Sequence, residues 1–149
     1  MTNFRSGAVA LIACLGGLVL ALIVVGLVSG TVLRHVVQIV PVLLALALVS
    51  RRPAIGAYAA LPIFVFWLLI VSLIWLFLAG LSTIANGHYT PAEVISTVVM
   101  ALCSAYGVRR AIPAGRPATL ASRLMAFILF AVLQLAAMWS SFSPSIANR

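Results

Sequence analysis

An all-α bundle of five transmembrane helices forming a single membrane domain over 1–149, N-terminus in and C-terminus out, is the fold class this sequence predicts. Three observations carry it. Hydrophobic residues make up 65% of the chain and charged residues 7%, with a mean hydropathy of +1.29, well outside the range of water-soluble domains. Five apolar runs recur along the chain, each set off from the next by turn residues or charges. The arginines fall mostly on one side of the connections those runs imply, as topogenic charges do.

The first span is read over 7–29. Arg5 ahead of an apolar stretch resembles a signal peptide, and residues 11–14, LIAC, resemble a lipoprotein cleavage box. The stretch before Cys14 is short for a signal-peptide core, and the apolar run continues to Val28 without a cleavage site, so an uncleaved helix is expected. The second span is read over 32–49, where Arg34 and His35 intrude near the start, and the third over 54–81. The fourth, over 91–106, is about sixteen residues and close to the lower limit for crossing a bilayer. The fifth is read over 120–142. Because the second and fourth are the weakest, a four-span arrangement is the alternative.

Charge tests the five-span frame independently. With the N-terminus inside, Arg5, Arg51, Arg52, Arg109, Arg110, Arg116 and Arg123 fall inside, while only Arg34 and Arg149 fall outside. Arg123 lies a turn into the fifth span, where its long side chain can reach back to the headgroups. The net charge of +8 is carried by arginines scattered between apolar runs, which argues against a nucleic-acid surface. Arginine without any lysine is a composition expected of a GC-rich genome, so the chain reads as a multi-pass protein of a bacterial inner (plasma) membrane. Cys14 and Cys103 lie inside apolar runs, where thiols behave as small hydrophobes.

Small residues indicate close helix approach. Ala13, Gly17 and Ala21 recur every four positions along the first span, and Gly26 and Gly30 form a GxxxG pair near its end. Packing against another span of the same chain is expected from them rather than a homodimer face. The third span is bulky throughout, with Trp67 and Trp75 away from its ends, which suits lipid contact or a partner's groove. The two inner connections share Arg-Arg, Pro and Gly, as positive-inside turns commonly do, and the spans show no matched polar positions that would mark an inverted repeat.

Polar residues within spans are few: Gln38, with Pro41 just after it, then Ser72, Ser96, Thr97, Ser104 and Gln134. None ionises, and the expected role of Gln38, Ser72 and Gln134 is to bond back to a helix or tie two helices together. The single acidic residue, Glu93, stands three positions after Thr90 with Pro91 between them, the spacing of a capping box. The five-span topology brings Arg34, His35, His88, Tyr89 and Glu93 to one outer boundary. An Arg34–Glu93 ion pair is expected there, and the set suits a proton, a metal or an anionic headgroup, with no ligand spacing that assigns a metal or cofactor.

Catalysis has little to work with. The chain has no Asp, no second carboxylate, no Cys set beside a His, and neither an HExxH nor a GxSxG motif, so no enzyme is expected. A carrier would need an embedded acid or an unwound polar segment near the midplane, where this sequence is apolar. The function expected is therefore an accessory or scaffold subunit of a membrane complex, with membrane lipids and a membrane-protein partner or homo-oligomer around it and no nucleic acid. The alternative is a small-solute or lipid transporter acting as a homo-oligomer.

Overall fold

The computed structural model describes residues 2–83, 89–115, 118–143 and 146, and within them the chain is helical with no strand. Five helices follow one another: α1 Thr2–Val28, α2 Val32–Arg51, α3 Pro53–Leu78, α4 Pro91–Gly115 and α5 Leu120–Ser141. Each contains a stretch long and apolar enough to cross a membrane, the weakest two of the sequence reading included, so the protein is multi-pass with five helices able to span.

The boundaries differ instructively from those read in the sequence. α3 stops at Leu78 rather than residue 81, because Gly80 takes a left-handed φ of 72° and turns the chain out of the helix. α4 runs on past residue 106 to Gly115, since Arg109 and Arg110 are sound helix formers, and Arg110 folds back to donate from Nε to Tyr106 Oη at 2.9 Å. Between α2 and α3 there is almost no loop: Arg52 alone, at φ −139° and ψ 74°, separates Arg51 from Pro53. Proline fixes the first turn of α3 where its missing N–H costs nothing. Gly56 then lets α3 pass directly over the α2 backbone, because a Cβ there would collide with Val49.

Helices α1 to α4 close a ring, α1 against α2 and α4, and α3 against α2 and α4, while α5 lies outside it in the groove between α2 and α3. The Arg51 end of this ring is solid. Gly107 admits the Phe64 ring, Gly17 faces the Cys103 thiol, and Gly7 faces Ala114, with Leu11, Leu15, Leu18, Ala57, Ala60 and Ile63 buried among them.

Helical periodicity corrects two packing expectations. Steps of four residues drift by about 40° each around a 3.6-residue helix, so Ala13, Gly17 and Ala21 do not share one face: Ala21 is buried and Ala13 is exposed. Gly30 lies beyond α1 with a φ of 68° and serves the α1–α2 turn, while Gly26 alone makes the close approach, against His35. The third span is also not bulky lipid-facing surface throughout. Its first half, through Trp67, supplies the middle of the core, and Trp67 meets Phe66 edge-on at 5.4 Å.

Candidate functional site

At the other end, where the α1–α2 turn and Glu93 lie, the same ring is hollow. A cavity of about 330 Å³ opens between α1, α2, α3 and α4, within the volume range of small-molecule sites. Arg34, His35, Tyr89 and Glu93 line it, so four of the five boundary residues singled out in the sequence converge on one space. The fifth, His88, lies outside the described residues. Below them the wall turns apolar through Leu22, Ile70, Ile74 and Met100, and Trp67 also lines it. Trp67 stands eleven residues from the end of α3, about 16 Å down by helical rise.

Glu93 forms the capping box its spacing implies. Thr90 donates to Glu93 Oε2 from its backbone N–H at 2.7 Å and from its hydroxyl at 2.8 Å, and Glu93 N–H donates to Thr90 Oγ1 at 3.3 Å. Both bonds to the carboxylate end on Oε2. The Thr90 N–H and one orphan amide of the first turn of α4, that of Glu93, are thereby satisfied, while Glu93 Oε1 takes no part in the cap.

The expected Arg34–Glu93 ion pair does not form: no salt bridge joins these two residues, although both line the cavity. Arg34 instead lays its guanidinium over the Phe142 ring, 4.1 Å from the centroid, and its Nε is sealed without a hydrogen-bond partner. Glu93 is held by its own cap. The two opposite charges face one space across a gap.

His35 is anchored one turn back, with Nδ1 at 3.0 Å from the Thr31 carbonyl and 3.1 Å from Thr31 Oγ1. A carbonyl only accepts, so the ring proton of the neutral form sits on Nδ1 and Nε2 is the acceptor. Tyr89 packs on Phe77 with centroids 6.0 Å apart, and burial together with the nearby Glu93 charge raises its hydroxyl above the ordinary tyrosine range. At neutral pH it is a donor. Among the described residues no three His, Cys, Asp or Glu side chains come together.

The intramembrane polar residues divide. Gln38 ties α2 to α5, donating to Ser141 Oγ at 2.9 Å and to Met138 Sδ at 3.2 Å. Ser72 donates to Leu68 O at 2.7 Å and faces outward, a local bond within its own helix. Gln134 departs from the expected role: 1% exposed, it leaves both Nε2 and Oε1 without partners. Ser104 is buried and unpartnered as well.

Sequence reading missed Trp67 as a site residue. It is 3% exposed, lines the cavity, and its indole N–H has no acceptor. The signal was present as a tryptophan far from either interface, where the indole N–H has no water or headgroup to bond. Compared with protein-family models, with curated proteins and with solved structures, the chain matches none.

Proposed function

We propose that this protein is an accessory or scaffold subunit of a membrane assembly in a bacterial inner membrane, with the Glu93 end turned outward. One observation carries the proposal: the cavity is blind. Its polar groups gather at one end, and beyond Trp67 the ring is packed by Phe64 on Gly107 and by Gly17 against Cys103. A protein that moved a solute through this ring would have to part those contacts, which involve a whole aromatic ring and a thiol rather than a hinged loop. Where a hydroxyl does meet a base, Thr31 Oγ1 beside His35 Nδ1 and Thr90 Oγ1 on Glu93 Oε2, both partners belong to the start of one helix, which favours a local structural role for each pair.

Purification of the tagged full-length chain from its native membrane, with mass spectrometry of proteins and lipids, tests this reading. A stoichiometric membrane-protein partner is the expected result. Isolation as a homo-oligomer alone would remove the scaffold reading and favour a transporter of a small solute or lipid, the second reading, which the existence of the cavity supports. Access separates the two: in a Cys14→Ala, Cys103→Ala background, Val25→Cys should react with a membrane-impermeant thiol reagent from one side only. Leu18→Cys should react from neither side. Labelling of Leu18→Cys from the Arg51 side would show that the ring opens there.

A further inference from the structure

The cavity at the Glu93 end has three unmet binding groups, and they differ in what they require. Arg34 is a permanent cation with a sealed, unpartnered Nε, so it calls for an anionic or strongly accepting group. Glu93 is 8% exposed and has one oxygen, Oε1, that takes no protein donor among the described residues, so it calls for a donor, best a cation. Tyr89, beside it, adds a hydroxyl and an aromatic face. Trp67, deep in the wall and almost fully buried, offers a lone N–H that can only donate, so it calls for an acceptor. Opposite charges that share a pocket without touching are each left to a ligand.

We infer that this cavity is a binding site for a small zwitterionic amphiphile: its anionic group on Arg34, its amine on Glu93 and Tyr89, and an internal carbonyl on the Trp67 N–H. The apolar side chains between these points, Leu22, Ile70, Ile74 and Met100, take the hydrocarbon. An anion alone would leave Glu93 facing like charge, and a cation alone would leave Arg34 so. An uncharged hydrocarbon would desolvate the Arg34 and Glu93 charges that line the cavity and offer neither a counter-group. At about 330 Å³ the space suits a headgroup with a short chain, not a diacyl lipid.

Two sources supply this chemistry, a lysophospholipid with an amine headgroup or an apolar dipeptide, since both carry an anion, an amine and an internal carbonyl. The inference concerns a ligand and goes beyond the scaffold reading; a missing protein partner would not affect it.

Calorimetric titration of the full-length protein in nanodiscs tests it with four probes: octanoyl lysophosphatidylethanolamine, leucyl-leucine, octanoyl lysophosphatidylglycerol as anion only, and octylamine as cation only. Saturable binding of either zwitterion, with the single-charge probes at least tenfold weaker, is the expected result, and whichever zwitterion binds names the source. Arg34→Gln should weaken the bound zwitterion at least tenfold. Trp67→Phe, which keeps a ring in the wall and removes the N–H, should weaken it several-fold, with circular dichroism and gel filtration confirming that each variant is folded. Equal binding of the zwitterion and lysophosphatidylglycerol overturns the inference, as does an affinity unchanged in both folded variants, or no saturable binding of either zwitterion.

Discussion

The Arg51 half and the Glu93 half of this bundle are made by the same four helices, yet one is solid and the other hollow. In the solid half glycines sit where helices cross: Gly56 under α2, Gly107 under Phe64, Gly17 facing Cys103. Backbones there approach until side chains interdigitate fully, as small residues allow in membranes. In the hollow half only Gly26 makes such an approach, against His35, and the large polar or aromatic side chains of Arg34, Trp67, Tyr89 and Glu93 line a cavity instead. The difference teaches that in a chain with so little polar surface, side-chain size at crossings decides where a site can exist, and the few polar groups then fill that space.

The strongest way to break the comparison is to put a methyl group where the solid half has none. At Gly56 a Cβ would meet the Val49 backbone, which cannot rotate away. Gly56→Ala should therefore lose about 3 kcal/mol in reversible unfolding in mixed micelles. Wild-type stability would mean that α2 and α3 slide freely and that the solid half is not rigid. Gly107→Ala meets the edge of the Phe64 ring at 2.5 Å, and a ring can yield where backbone cannot. About 2 kcal/mol is expected there, with recovery when Phe64→Leu is added. Failure of that rescue would place the clash elsewhere.

Much of this contrast is visible in the sequence, and its limits follow physical lines. Five apolar runs fix five helices because helix length and hydropathy are local properties. The Thr90–Glu93 capping box is likewise legible, since all its partners lie within four residues. The convergence of Arg34, His35, Tyr89 and Glu93 follows from topology alone. What sequence could not supply is rotation about each helix axis. Trp67 and Ala13 illustrate it: the buried tryptophan and the exposed alanine exchange the places their chemistry suggests, because all faces of these helices are apolar and periodicity carries no inside–outside signal. The missing Arg34–Glu93 bond has the same origin. Sequence brings two charges to one boundary, but the Phe142 ring, from the far end of α5, decides which way the guanidinium turns.

Two substitutions sharpen the comparison at intermediate size, and they have opposite signs. Gln134 is buried with an unpaired amide, outside both the cavity and the glycine crossings. Gln134→Leu should stabilise the protein by about 1 to 2 kcal/mol, since it removes two buried groups that have lost water and gained nothing. A loss of stability would show that the amide has a partner in the assembled membrane complex or oligomer. Glu93→Gln should cost about 1 kcal/mol by weakening the cap on α4. It should lower stability more than it lowers any activity that the protein proves to have. Equal stability with a lost function would make the carboxylate a functional group first and a cap second.

The smallest effect is a pH dependence, and its sign is fixed by Tyr89. Burial first, and the Glu93 charge second, raise its hydroxyl pKa in the folded protein, so the native state keeps this proton where the unfolded chain releases it. In that window the native state binds more protons, and stability falls as pH rises. The contribution is intact below the unfolded tyrosine value, about 10, and is lost progressively above it. Tyr89→Phe should flatten this part of the alkaline limb in thermal unfolding between neutral and strongly alkaline pH. Glu93→Gln should flatten it less, because it removes only the second cause and leaves the burial. An alkaline limb identical in all three proteins would mean that Tyr89 sits in water rather than against Phe77 and the cavity wall, and the hollow half would then be more open than its geometry indicates.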